Sequence, residues 1–137
     1  MNTLQLEIVT PEKKAYSEQV SHVVLPAFEG EMDVLPNHVP MVVMIKPGEI
    51  RAVHQGQPID LAVGEGFAEI TGGTVTVLTD VALSAEQIDE GKVEEALKRA
   101  QQALADKSST PEEAAALQAT IQKSIAQLGL KRRRRSL

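Results

Sequence analysis

The sequence has 137 residues, 42% of them apolar and 24% charged, which is the composition of a small globular chain rather than a disordered or fibrous one. The longest apolar run, Met41 to Ile45, is far short of the ~20 residues of a membrane span, no basic-then-apolar leader opens the chain, and cysteine is absent. We therefore expect a soluble protein of a reducing compartment, with no disulfide framework; the net charge of −5 is split unevenly, residues 1–83 holding four Lys/Arg against eleven Asp/Glu and residues 84–137 ten against eight.

From Thr3 to Thr10 the chain alternates, with Leu4, Leu6 and Ile8 on one side and Gln5 and Glu7 on the other, the period of a half-buried strand. Val20 to Leu25, Met41 to Ile45, Glu49 to Val53, Ile59 to Val63, Phe67 to Ile70 and Thr74 to Thr79 are further short runs rich in β-branched residues. Turn signals separate them: Glu29-Gly30-Glu31, Leu35-Pro36-Asn37, Lys46-Pro47-Gly48, Gln55-Gly56-Gln57 and Gly72-Gly73. Strands recurring about every ten residues predict an all-β sandwich or flattened barrel over 1–83. Gly72-Gly73 predicts a hairpin, since both positions accept positive φ at little cost.

From Ser84 the period changes to three and four. Val93, Ala96, Leu97, Ala100 and Leu104 mark one amphipathic helix, and Ala114, Leu117, Ile121, Ile125 and Leu128 mark a second. Thr110 as N-cap, Pro111 as first helical residue and Glu113 as reciprocal partner open the second helix, with Lys107-Ser108-Ser109 as a short connector. The first helix starts either from a Ser84/Gln87 capping box or from an Asp89 cap. Residues 84–137 thus read as an antiparallel two-helix hairpin. Its large apolar side chains number about seven, too few to offset the entropy of ordering roughly 40 residues. The hairpin therefore needs a partner surface, on the β domain or another chain, and its shallow Ala-rich seam predicts an arm easily detached.

No catalytic constellation is present: no phosphate-cradling glycine loop, no G-x-S-x-G elbow and no H-E-x-x-H. His22, His38 and His54 are too scattered to suggest a protein-built metal site, and His22 and His54 fall at strand surfaces or edges. Three aromatic residues, Tyr16, Phe28 and Phe67, supply no base-stacking platform, so nucleic acid is not an expected partner. The acid pairs Glu94-Glu95 and Glu112-Glu113 read as solvated faces and first-turn acids. Segment 29–42 stands apart because Pro36 and Pro40 flank Asn37-His38-Val39 and stiffen it. It is either a rigid turn whose His38 bonds nearby backbone or a contact loop that loses little entropy on binding.

The run Gly30-Glu31-Met32-x-Val34-Leu35-Pro36-x-His38-Val39-Pro40-Met41 resembles the signature of the epsilon subunit family of F-type ATP synthases. The resemblance continues, in the family's order, through Leu6 to Pro11, Ile45-Lys46-Pro47-Gly48, Gly66-Phe67-x-Glu69-Ile70 and Val75-Thr76-Val77-Leu78-x-Asp80-x-Ala82. Two positions depart: Asp33 stands where the family has glycine, and Glu65 stands where it has glycine before Gly66. Aspartate tolerates a left-handed backbone, so a turn at Asp33 is expected to survive.

The resemblance implies a non-catalytic rotor subunit of a proton- or sodium-driven ATP synthase. Its partners would be the gamma subunit, the ring of c subunits and the alpha/beta head, and its place the cytoplasmic face of the bacterial inner membrane, held there only through the complex. Glu31 and His38 are then ring- or gamma-contacting residues, in keeping with acids on a stiff loop meeting a basic partner. Ile88, Asp89 and Lys92 fall where many members bind regulatory ATP. Lys92 replaces the family's arginine and Val93 its alanine, and Gly91 weakens the helix start, which predicts weak or absent ATP binding; otherwise Asp89 is simply an N-cap. No other cofactor is implied.

The closing run Lys131-Arg132-Arg133-Arg134-Arg135 follows Gly129, a plausible helix C-cap region. It is a solvated tail, a nucleic-acid contact or, following the family, a basic tip that meets the alpha/beta head and blocks hydrolytic rotation. Outside the resemblance, the rival readings are a stand-alone β-sandwich adaptor or a ligand-sensing regulatory domain.

Overall fold

The computed structural model describes residues 2–106 and 109–135. Ten strands come first: β1 (Leu4–Val9), β2 (Lys14–Val20), β3 (Val23–Ala27), β4 (Gly30–Val34), β5 (Met41–Ile45), β6 (Gly48–His54), β7 (Gln57–Val63), β8 (Gly66–Thr71), β9 (Thr74–Thr79) and β10 (Ala82–Leu83). A 3₁₀ turn (Ala85–Gln87) leads to helices α1 (Glu90–Ala105) and α2 (Pro111–Arg135). This is the expected β-sandwich followed by two helices.

The strands form one hydrogen-bonded path, β10-β7-β6-β3-β5-β8-β9-β1-β2, with β4 added on β3. All pairs are antiparallel except β1 with β9. The path turns a corner where β3 meets β5 through a single pair, Ala27 opposite Ile45. It closes near the start of β3, where Ser21 N donates to Val53 O (2.9 Å) and His54 Nδ1 donates to Gln19 O (2.7 Å). Both layers send alternate side chains into one core that includes Leu6, Ile8, Leu25, Ile45, Ile50 and Ile70, all fully buried.

Two turns show why their residues are needed. Between β6 and β7, Gln55 and Gly56 both take positive φ (51° and 77°), the requirement of a tight hairpin whose twist matches its strands. At Gly66 a Cβ would lie 1.8 Å from the Leu78 carbonyl, so β8 approaches β9 more closely than any other residue permits. The departure at Glu65 leaves this geometry intact, as Asp80 N donates to Glu65 O (3.3 Å) and Gly64 N to Val81 O (3.2 Å).

Three local expectations are corrected. β2, whose polar KAYSEQV run lacks clean alternation, pairs along the whole of β1. Segment 30–34 is a strand, not a loop, because β3 supplies a hydrogen-bonding edge for it, and Asp33 lies extended opposite Val24. The left-handed residue of this region is Asn37 (φ 68°). Finally, α2 does not end near Gly129; it runs through it for a further six residues to Arg135.

The start of α1 uses both anticipated devices in succession. Gln87 Oε1 accepts from Ser84 N (3.0 Å) around the 3₁₀ turn, and the Asp89 carboxylate then accepts from Lys92 N (3.1 Å) to cap α1. At α2, Thr110 Oγ1 accepts from Glu113 N and donates to the Glu113 carboxylate, both at 3.1 Å. The anticipated connector lies partly outside the described residues, 107 and 108 being beyond them.

The hairpin packs α2 against the outward side of β6 and β7. A second apolar cluster forms there from Ala62, Ala85, Ile88 and Leu130, with Leu83 and Val93 at its edge. Ala62 and Leu130 are fully buried. A small side chain at Ala62 allows the helix to sit close to the sheet. The anticipated apolar stripe of α2 is kept at Ile121 and Leu128, both buried, but not at Ile125, which is 49% exposed; Ser124, Gln127 and Leu130 are buried as well. Helix α2 touches α1 on one side and the sheet on another, so a single amphipathic stripe does not describe it.

Candidate functional site

Among the described residues no cluster of His, Asp or Glu is arranged to hold a metal ion, and no helix is long and apolar enough to cross a membrane. What the fold builds instead is two surfaces. The first lies on the outward side of β5, β8, β9 and β1. Register sets Met44 opposite Phe67, Phe67 opposite Leu78 and Leu78 opposite Val9, giving one apolar row across four strands. Phe28 extends the row, since its N–H donates to the Met44 carbonyl (3.1 Å). Phe28, Val42 and Met44 are each more than half exposed. A groove of about 450 Å³ lined by Val9, Pro11, Phe67 and Leu78 continues it. Apolar side chains gathered on a solvent face mark a docking surface, because a folded chain gains nothing by displaying them together.

Glu31 borders this region, lining a groove with Phe28, Val42 and Met44, and His38 lies on the turn between β4 and β5. Glu31, on β4, pairs with Arg51 of β6, both groups remaining largely in solvent. His38 follows a turn in which its N–H donates to Leu35 O (3.2 Å), and its Nδ1 lies 2.8 Å from Val39 O. The rigid-turn feature anticipated for His38 is therefore present, next to exposed Leu35 and Val39.

The second surface is ionic and joins the end of α2 to the rest of the chain. Arg133 reaches Glu49 on β6 with both terminal nitrogens (2.6 and 3.1 Å) and approaches Asp60 on β7 at 3.8 Å. Arg134 pairs with the same Asp60 at 3.2 Å. Arg132 instead turns to α1, where Nε donates to Glu90 (2.8 Å) and a terminal nitrogen pairs with Glu94. Lys131 Nζ donates to Ala85 O (2.9 Å), and Lys123 Nζ pairs with Asp80 (3.1 Å). The hydrogen bonds it donates to Glu49 push the Arg133 guanidinium above its ordinary pKa, and those donated to Glu90 and then Glu94 do so for Arg132. Arg132, Arg133 and Arg134 are thus not a free tail in this state. Arg135 continues the helix. Glu94, expected on a solvated face, is a partner of Arg132.

The residues matching the family's nucleotide motif are separated by their roles. Ile88 is 3% exposed beneath Leu130, the Asp89 carboxylate is spent on the α1 cap, and Lys92 is exposed. The apolar row and the acids Glu49 and Asp60 were missed from sequence. The signal was available: β5, β8 and β9 carry apolar residues at both parities, and β6 and β7 carry an acid at an outward position.

A sandwich with one exposed apolar row and a basic helical arm clipped to its other layer is the architecture of an assembly subunit, not of a chain enclosing a substrate. Two family models match in tandem and cover nearly all of it: "ATP synthase, Delta/Epsilon chain, beta-sandwich domain" over residues 3–85 and "ATP synthase, Delta/Epsilon chain, long alpha-helix domain" over 86–131. The chain belongs to the ATP synthase delta/epsilon chain family. It is 39% identical over 129 residues to the ATP synthase epsilon chain of Herpetosiphon aurantiacus, covering 91% of this chain and 95% of the relative. Identity to the ATP synthase epsilon chain of Dehalococcoides mccartyi is 38% over 135 residues, covering 98% and 96%. Among solved structures, it resembles a chain of the Euglena gracilis mitochondrial ATP synthase OSCP/F1/c-ring assembly (TM-score 0.75, 23% identity, 90% of this chain and 78% of that one). A chain of the Tetrahymena thermophila mitochondrial ATP synthase central stalk/c-ring shares the fold at TM-score 0.58 and 12% identity, over 96% and 95%.

Proposed function

We propose that this chain couples rotor to catalytic head in an ion-driven ATP synthase, binding the stalk through its β-sandwich and carrying in α1–α2 a detachable brake on ATP hydrolysis. As a member of this family it is a central-stalk subunit and not the catalytic one; the nucleotide chemistry belongs to the alpha and beta subunits. The observation that carries the stalk-binding part is the exposed row of Phe28, Met44, Phe67 and Leu78, which is covered once the sandwich seats on gamma. Glu31 and His38 then face gamma or the polar loops of the c-ring. The chain is peripheral, reaching the membrane through the complex, on its cytoplasmic face in a bacterium.

The brake reading is supported by the chemistry of the arm. Its cationic end is held largely by ion pairs, which exchange partners more readily than a buried apolar seam does. An acidic stretch of the alpha/beta head offers the same arginines an equivalent set of carboxylates. Deleting residues 131–137 should raise ATP hydrolysis by the assembled enzyme while leaving synthesis coupled to ion flow. Unchanged hydrolysis in the truncated complex would remove the brake from this account.

A further inference from the structure

Three of the four arginines at the end of α2, Arg132, Arg133 and Arg134, are adjacent in sequence yet hold two different joints. Successive helical residues project about 100° apart, so a helix continuing through Gly129 aims neighbouring side chains at different elements. Arg132 is delivered to α1, where Glu90 and Glu94 receive it; Arg133 and Arg134 are delivered to the sheet, where Glu49 and Asp60 receive them. Glu49 and Asp60 lie on the outward side of the β6–β7 hairpin, Glu49 opposite Ala62 and Asp60 opposite Arg51. The Glu49 and Asp60 side chains are only 20% and 14% exposed, which weakens solvent screening of these pairs.

We propose that Arg133 and Arg134, with Glu49 and Asp60, form an ionic latch that fixes the whole helical hairpin to the sheet, whereas Arg132, with Glu90 and Glu94, is a separate clasp that keeps α2 closed on α1. Opening the latch frees the hairpin as a unit; opening the clasp parts the helices. The latch also makes the docked state exclusive, because a guanidinium held at the sheet on Glu49 and beside Asp60 cannot at the same time reach a carboxylate on another subunit. Only this last consequence rests on the brake reading. Arg133 forked onto one carboxylate and close to a second carries more of the latch than Arg134.

Because the chain has no cysteine, a pair of introduced ones can be spin-labelled uniquely. Thr71→Cys with Gln118→Cys reports the sheet-to-arm distance, and Lys98→Cys with Gln118→Cys reports the distance between the helices. In the isolated full-length chain, Glu49→Gln/Asp60→Asn should raise the open population and the exchange of α2 amides about ten-fold, broadening the first distance and leaving the second unchanged. Arg132→Gln should broaden the second. Added salt should broaden both distances in the wild type, since it screens the clasp as well as the latch, and the charge swap Glu49→Arg/Arg133→Glu should dock better than either single substitution. Unchanged α2 exchange in Glu49→Gln/Asp60→Asn, or the same response of both distances to both sets of substitutions, would overturn the proposal. Slow exchange of the β8 and β9 amides confirms in each case that the sandwich has folded. In the assembled enzyme the latch variants should lower hydrolysis. If the distances shift there but hydrolysis does not, the latch stands and the brake reading fails.

Discussion

Glu7 on β1 stands opposite Ser17 and accepts from Lys14 (3.0 Å) and Gln5 (3.2 Å). Hydrogen bonds from Ser17, then from Lys14 and Gln5, hold its carboxyl at about 2 against an ordinary value of 4.5. A depressed carboxyl adds stability above its unfolded value and loses it as pH falls through the folded one, so the β1–β2 edge should weaken between about 4.5 and 2. A carbon-detected titration should place the Glu7 midpoint near 2; a midpoint near 4.5 would show that these bonds are not held in solution. Asp89 and Lys92 carry the second expectation at this scale. With the Asp89 carboxylate committed to the helix cap and Ile88 buried, calorimetry should show ATP binding that is weak or absent, and micromolar affinity would contradict this. Sequence anticipated the Asp89 cap and both halves of the Thr110 box, since capping depends on residues three apart. It could not anticipate that Glu49 and Asp60 receive arginines from more than 70 positions away, because no local pattern encodes a tertiary ion pair.

At the scale of elements, Leu130 is the main apolar tie between α2 and the outer cluster of Ala62, Ala85 and Ile88. Leu130→Ala should cost the docked arm about 2–4 kcal/mol. Hydrogen exchange should show faster α2 amides with little change in the strands; a loss spread evenly through the sandwich would mean that the two parts unfold as one. Most strands were legible because they alternate or are bounded by Gly and Pro turns, as in β8 and β9 around Gly72-Gly73. β2 and β4 were not, as their pairing is decided by the open edges of β1 and β3 rather than by their own polar sequences. The far end of α2 was misread for a similar reason. Gly129 has the look of a stop, yet packing of Leu130 and ion pairing of the arginines carry the helix past it.

For the whole molecule, the charge split visible in sequence becomes a structural relation. The acidic sheet and the basic arm end are each other's partner in the docked state, so the hairpin finds on its own chain the surface it was expected to need. The opposite layer keeps its apolar row for another subunit. In the proposed function one face carries the brake and the other meets the rotor. The most direct test is recovery of gamma and c-ring with tagged wild-type chain and with Met44→Glu/Phe67→Glu, both substitutions lying on the exposed row and outside the core. The account predicts that the wild type retains both stalk components and that the double variant, still folded, loses them. Full retention by the variant would contradict it.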